Sequence, residues 1–257
     1  MPDELSARAR SAQSAPKDDL QALIHESEEE TLLALLENPL LEEPHVSRML
    51  ERLELSANVL TVIAEKGKWT ASEGVRLRLA RHPHTPRRFA MALLRQLYLF
   101  DLVRVSLLLS TPAEIRRVAE ELMITRVPQL PIGQKLTLAR RGPARVVGAL
   151  LAEGHSQTIQ LALANAFLTE SQVLKVLAKP GVPERVVAAI AQHPRWTVQY
   201  NVRVALLRNP HTPIPVVLAF LPNLAMRDLK DLAELEGVSP HVRRYIQKEL
   251  SRRPGAK

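Results

Sequence analysis

Apolar residues recur along the chain at the three- and four-residue spacing of amphipathic helices, in short runs that each end at a proline or glycine. Examples are LLALLENP at 32–39, LRLARHPHTP at 77–86, LTLARRGP at 136–143 and VALLRNPHTP at 204–213. Each run indicates a helix that ends, a sharp turn, and a new helix that begins. The pattern predicts an all-α chain of roughly twelve to fourteen short helices joined by tight turns.

Two of the predicted turns are nearly the same: RHPHTP at 81–86 and RNPHTP at 208–213 differ at one position. A residue before proline is disfavoured in the α region, so the preceding helix should end near Arg81. Thr85 should then cap the next helix, with Pro86 at its first position, where no backbone N–H is needed. By the same reasoning, Thr169 should cap a helix that begins at Glu170.

The similarity extends beyond the turn to most of the chain. Over 29–126, 29 of 98 positions are identical to the residue 127 positions later, without a gap. Helical composition alone does not produce that agreement, so the sequence predicts a tandem duplication. We expect a flexible, Ala- and Ser-rich arm at 1–18, followed by helical-repeat halves at 19–127 and 128–254 in one continuous solenoid.

Two segments carry a resemblance to a known repeat: VRLRLARHPHTPRRFAMALL at 75–94 and VRVALLRNPHTPIPVVLAFL at 202–221. They resemble the bacterial leucine-rich-variant repeat, with its pattern V-R-x-x-[LV]-A-x-N-P-x-T-P-x-x-[LV]-L. More loosely, the chain resembles HEAT-like helical repeats. The resemblance implies a right-handed α-solenoid that acts as a binding scaffold, and it leaves open which of the two repeat geometries the helices follow.

The inventory of residue types excludes several kinds of chemistry. Cysteine is absent, which excludes disulfides, thiol chemistry and cysteine-ligated zinc or iron–sulfur centres, including the iron–sulfur module of some leucine-rich-variant proteins. No glycine-rich nucleotide loop and no nucleophile or zinc-protease motif is present, so we expect no cofactor and no enzymatic activity. The chain also lacks a signal-peptide pattern and any apolar run long enough to span a bilayer, so we expect a cytoplasmic protein that does not enter membranes.

The net charge of +8 is unevenly distributed. Residues 1–127 contain 17 Lys and Arg against 19 Asp and Glu, whereas 128–257 contain 18 against 8. The second half is therefore the basic one, and its charge can attract an acidic protein or nucleic acid. The few aromatic residues argue against base stacking on single strands, so contact with nucleic acid would be mainly to phosphates.

Matched pairs of the two halves supply the candidate binding residues. They are the tryptophans Trp69 and Trp196, the arginines Arg76, Arg81, Arg203 and Arg208 near the repeated turn, its histidines His84 and His211, and the basic pair Arg243 and Arg244. Each has a structural interpretation beside the functional one. A Trp before a helix commonly packs under a turn, and Arg76 and Arg203 could pair with Asp101 and Asp228 instead of a ligand.

A metal site at the histidines is disfavoured, because the second turn replaces His82 by Asn209 and no acidic or cysteine ligand accompanies them. The expected function is a non-enzymatic scaffold that binds a protein or peptide along a concave surface, with an acidic partner as one option. The alternative is sequence-tolerant binding to nucleic-acid phosphates through the basic second half. A DNA glycosylase, an activity that some HEAT-like proteins have, is disfavoured because the chain lacks a cluster of aromatic residues.

Overall fold

The computed structural model describes residues 6–235, 238 and 240–253. Over those residues every regular element is a helix: twenty α-helices, numbered α1 to α20, and two 3₁₀ helices at Val127–Gln129 and Leu221–Asn223. The all-α prediction is confirmed. The helices outnumber the expected twelve to fourteen because several are only one or two turns long, such as the four-residue helices α6 and α16.

The chain divides into two compact units, Met1–Met123 and Ile124–Lys257. The helices that begin in the first unit are α1 (Ala7–Gln13), α2 (Lys17–Leu23), α3 (Glu29–Leu35), α4 (Glu43–Met49), α5 (Ala57–Glu65), α6 (Gly67–Thr70), α7 (Glu73–Arg81), α8 (Arg87–Gln96), α9 (Leu99–Leu107) and α10 (Ala113–Arg126). Helices near in sequence pack on one another here, with α1 against α3, α4 against α7, and α7 against α8 and α9.

The second unit is also built from short helices. It contains α11 (Ile132–Arg141), α12 (Ala144–Glu153), α13 (Ser156–Leu163), α14 (Glu170–Leu177), α15 (Glu184–Gln192), α16 (Pro194–Thr197), α17 (Tyr200–Arg208), α18 (Ile214–Phe220), α19 (Met226–Glu234) and α20 (Pro240–Arg252). Helix α12 packs against α13 and α14, α14 against α17, and α19 against α20.

The amino-terminal segment is more ordered than its composition suggests. Where we expected a flexible arm at 1–18, the described part contains α1 and the start of α2. Ala9 and Ala12 of α1 are fully buried, and the Ser6 hydroxyl accepts a hydrogen bond from the Ala9 amide. Alanine has no long side chain, which lets α1 lie close against α3, and this close packing replaces the large apolar residues that the segment lacks.

The helix before each repeated turn ends where the sequence predicts. Helix α7 ends at Arg81 and α17 at Arg208, and the next residues, His82 and Asn209, have extended backbone. Because each of these residues precedes a proline, the proline terminates the helix in both units. The predicted cap at Thr169 is also confirmed, since its hydroxyl accepts a hydrogen bond from the Gln172 amide.

The helix after each turn begins one residue later than predicted. Helix α8 starts at Arg87 and α18 at Ile214, and the prolines themselves occupy the cap position. Thr85 therefore does not cap α8; its buried hydroxyl has no hydrogen-bond partner within the described residues. Thr212 donates instead to the Leu206 carbonyl, back toward the preceding helix.

A buried asparagine in the first unit links the turn after α3 to the end of α1. Asn38 is 2% exposed, and its side-chain amide donates to the carbonyls of Ala12 and Ala15, both at 3.0 Å. Its side-chain oxygen accepts from the Leu40 amide at 2.9 Å. One side chain thereby satisfies carbonyls at the end of α1 and an amide of its own turn.

Asn165 makes the same contacts in the second unit. Its side chain donates to the carbonyls of Ala139 at 2.9 Å and Gly142 at 3.4 Å, and accepts from the Phe167 amide at 2.7 Å. Each of these partners lies 127 positions after the corresponding partner of Asn38.

Candidate functional site

A groove of about 660 Å³ opens on the surface of the second unit. It lies between the carboxyl end of α14 with the loop 178–182 on one side, and α17 with the turn 208–211 on the other. Its volume is in the range typical of ligand pockets.

The floor of the groove is apolar and fixed by packing. Leu177 and Val182 are buried, and Leu174 and Val204 complete the surface. Val204 also belongs to the core that α17 shares with α18, α19 and α20. The floor is therefore continuous with the core and holds a defined shape without a ligand.

The rim of the groove carries the polar side chains. Lys179, Arg208 and His211 are exposed there, together with Asn201, and none of the residues that line the groove is acidic. An apolar floor with a basic rim suits a ligand that has both an apolar part and an anionic part.

Asn209 positions the repeated turn against α14. Its side-chain amide donates to the Leu177 carbonyl at 3.1 Å, and its side-chain oxygen accepts from the His211 amide at 3.0 Å. On the other side, Gly181 adopts φ of 73°, a left-handed conformation that lets the loop 178–182 turn sharply. These local contacts hold Arg208 and His211 on the rim.

The matched positions of the first unit are occupied by long side chains. Ala178 and Ala205 align with Glu51 and Arg78, whose side chains form an ion pair at 3.6 Å. Beside them, the Arg52 guanidinium contacts the Glu54 carboxylate at 2.8 Å. At the aligned positions the second unit has two alanines, whose side chains are shorter and uncharged.

His82 and His84 fasten the repeated turn of the first unit. The His82 ring donates from Nε2 to the Arg52 carbonyl at 2.8 Å, and its Nδ1 accepts from the His84 amide at 3.2 Å. Nδ1 of the exposed His84 lies 3.0 Å from the Leu55 carbonyl oxygen. Burial lowers the pKa of His82 below its ordinary value. Across the described residues, no group of three or more His, Asp or Glu could hold a metal ion.

The two tryptophans lie in the interior. Trp69 and Trp196 are each 2% exposed, so neither has a surface that a partner could contact. Both pack in the core, which agrees with the structural interpretation and not with the binding one. The Trp196 indole donates to the Leu163 carbonyl at 3.0 Å. In the first unit, Lys66 donates to the corresponding carbonyl, that of Leu36, at 2.9 Å, and the Trp69 indole nitrogen has no partner within the described residues.

The arginines of the Val-Arg pairs do not form the ion pairs considered from the sequence. Arg76 donates to the carbonyls of Thr70 and Ala71, both at 2.8 Å, and thereby braces the turn before its own helix. Asp101 instead contacts Arg104, one helical turn later, at 3.1 Å.

In the second unit, Arg203 lies over the Tyr200 ring, with 5.6 Å between its guanidinium carbon and the ring centre. The Tyr200 hydroxyl donates to the Asp228 carboxylate. The partner of Asp228 is therefore Tyr200, and not Arg203 as considered from the sequence.

Of the candidate residues, the structure brings Arg208 and His211 together at the groove. Arg81 is half-buried and His84 exposed at the first unit's turn. Arg243 and Arg244 are exposed on α20, where Arg243 donates to the Leu235 carbonyl at 3.1 Å, and neither lines the groove.

Sequence motifs do not mark the other side of the groove. Lys179 and Val182 lie outside the identical positions of the two halves, Leu177 matches Leu50 as a single isolated identity, and the two alanines carry no chemistry of their own. A signal was nevertheless present in the aligned halves, where Glu51 and Arg78 stand opposite Ala178 and Ala205. Where two long side chains of one half align with alanines of the other, the sequence predicts less filled volume in the second.

The chain matches no protein-family model, no curated protein and no solved structure. Among the helices that the structure describes, none is long and apolar enough to cross a lipid bilayer.

Proposed function

We propose that this protein is a non-enzymatic helical-repeat scaffold that binds a peptide segment of a protein partner in the groove of the second unit. The observation that carries the proposal is the groove itself, with its preformed apolar floor and an exposed basic rim at the repeated turn. A preformed site of this kind loses little conformational entropy when a peptide binds.

The architecture that we propose is two copies of one helical module, offset by 127 positions in the sequence. The matched contacts of Asn38 and Asn165 support it, because random similarity does not reproduce three hydrogen bonds with partners at the same offset. The resemblance to leucine-rich-variant and HEAT-like repeats remains part of this proposal, as does a continuous right-handed solenoid with a concave binding surface.

Selection of short random peptides on the full chain tests the function. Selected peptides should lose binding to the double variant Ala178→Glu/Ala205→Arg, which installs in the groove the pair that occupies the first unit. Ala178→Trp provides a second obstruction at an exposed position, should the double variant fold poorly.

Circular dichroism and thermal melting establish that the variants keep the wild-type fold. If the folded variants retain every selected peptide, the groove is not the binding site and the proposal is wrong. Substrate turnover by the wild-type chain that one side-chain change abolishes would contradict the scaffold role.

A further inference from the structure

The basic side chains on the rim of the groove have no acidic partner within the described part of the chain. No carboxylate of those residues lies within ion-pair distance of Lys179 or Arg208, and none lines the groove. Both side chains are exposed and line the groove, Lys179 from the loop 178–182 and Arg208 from the end of α17. Their positive charge is therefore available to a bound molecule.

The first unit shows how the position matched to Lys179 looks when its charge is neutralised. There Arg78 contacts Glu51, and Arg52, the counterpart of Lys179, contacts Glu54 at 2.8 Å. The second unit keeps a basic residue at the Arg52 position but replaces both acids, with Ala178 and Gly181. Lys179 therefore lacks the acidic partner that Arg52 has, whereas Arg208 and its counterpart Arg81 both lack one among the described residues.

The shape of the groove distinguishes a peptide from a nucleic acid. Its floor is aliphatic, formed by Leu174, Leu177, Val182 and Val204. No Phe, Tyr or Trp lines the groove, and the one aromatic ring among its lining residues is the imidazole of His211 on the rim. A phosphate backbone would meet the rim but leave the floor uncovered. A peptide side chain of the apolar type would cover it.

We infer that the groove recognises an acidic peptide segment, which inserts one apolar side chain into the floor and places carboxylates against Lys179 and Arg208. The inference rests on the proposed function and adds the chemistry of the ligand. An Asp or Glu on each side of a Leu, Ile, Met or Phe matches a floor that lies between two basic residues.

The test uses the full chain and peptides selected from a random library. Peptides that depend on the open groove should be enriched in Asp and Glu around one large apolar residue. Fluorescence anisotropy should then show that Lys179→Gln/Arg208→Gln weakens binding of such a peptide roughly tenfold or more, as expected when charge-assisted hydrogen bonds are lost.

A double-mutant cycle separates charge recognition from a general loss of affinity. The same peptide with Asp and Glu replaced by Asn and Gln should bind the wild type weakly and be indifferent to Lys179→Gln/Arg208→Gln. Arg227→Gln/Lys230→Gln is the matched control, because it removes the same charge from exposed positions of α19 that do not line the groove.

Three results would overturn the inference. Groove-dependent peptides without acidic residues would leave the proposed function intact and show that the ligand chemistry is wrong. Selection of no groove-dependent peptide would contradict both. Displacement of the acidic peptide by duplex DNA at equal concentration, with the same dependence on Lys179 and Arg208, would identify a phosphate-binding site instead.

Discussion

Single side chains decide how successive helices are joined in this protein, and asparagine is the clearest case. Asn38 and Asn165 are each 2% exposed, and each uses its whole side-chain amide on backbone groups. A buried amide that satisfies carbonyls at a helix end removes the cost of leaving those carbonyls without partners. Such a residue contributes to stability through hydrogen bonding, although its own burial is unfavourable.

Asn38→Ala and Asn165→Ala should each reduce the free energy of unfolding by about 1–3 kcal/mol, because each removes several buried hydrogen bonds from the side-chain amide to the backbone. Asn58→Ala is the control, since its amide contacts the Glu29 carboxylate in an exposed position, and it should cost less than about 0.5 kcal/mol. Urea unfolding measures all three. Equal losses for the buried and exposed asparagines would contradict this account.

The two buried tryptophans differ in one hydrogen bond, and this difference can be measured. Trp196→Phe removes the bond to the Leu163 carbonyl, whereas the Trp69 indole nitrogen has no partner in the described structure. Trp196→Phe should therefore destabilise the protein by about 1 kcal/mol more than Trp69→Phe. Thermal melting of both variants measures this difference, and each variant is the control for the other. A larger loss of stability for Trp69→Phe than for Trp196→Phe would contradict the prediction.

At the scale of the element, the repeated turn ends one helix, precedes the next, and is tied to backbone earlier in the chain. In the first unit the tie is a histidine, His82, with Nε2 bonded to the Arg52 carbonyl and Nδ1 to the His84 amide. In the second it is Asn209, bonded to the Leu177 carbonyl and the His211 amide. The two residues serve the same turn, but only the histidine can take up a proton.

Acid should therefore weaken the first unit's turn. The pKa of His82 is lowered in the folded state, mainly by burial, with the nearby His84 acting in the same direction and the Arg52 carbonyl and Glu54 opposing it. A lowered folded-state pKa means that stability is fully present above the ordinary histidine pKa of about 6.5 and is lost as the pH falls toward the folded-state value.

His82→Asn, which copies Asn209, should flatten the decline of unfolding free energy as the pH falls from about 7.5 to about 5.5. Urea unfolding across that interval, on wild type and variant, gives the comparison. Burial also lowers the pKa of His193. Because His193 is present in both wild type and variant, its contribution to the pH dependence of the unfolding free energy cancels in the comparison. Parallel pH profiles would show that His82 does not contribute.

At the scale of the whole molecule, both units consist of short helices but differ in charge. Residues 1–123 contain 16 basic against 19 acidic side chains, whereas 124–257 contain 19 basic against 8 acidic. The groove lies on the basic unit, where the attraction of an acidic partner adds to its local contacts.

Nucleic acid is the competing use of this charge, and salt dependence distinguishes the two. Because the apolar floor plays no part in phosphate contact, duplex DNA should bind the full chain weakly, with a log–log salt slope below about 2 between roughly 50 and 200 mM salt. Mobility shifts on a titrated duplex measure the slope. A slope of about 3 or more, the value for three to four phosphate contacts, would favour the nucleic-acid alternative.

Much of this protein follows from its sequence, because helix signals are local. The three- to four-residue apolar period predicts an all-α chain, and the prolines of the repeated turn fix the ends of α7 and α17 at Arg81 and Arg208. The similarity between halves also predicts which residues should have equivalent roles, and the contacts of Asn38 and Asn165 agree with it. These features depend on residues close in sequence or on the comparison of one half with the other.

Only the tertiary structure decided which side chains face solvent and where space remains between helices. Periodicity did not show that Trp69 and Trp196 are buried, that Arg76 braces its own turn, or that α1 packs through two alanines. The groove depends on Ala178 and Ala205, which are far apart in the chain and become neighbours of one opening through the packing of α14 against α17. A cavity is a property of what surrounding side chains leave unfilled, so it appears only when distant residues are brought together.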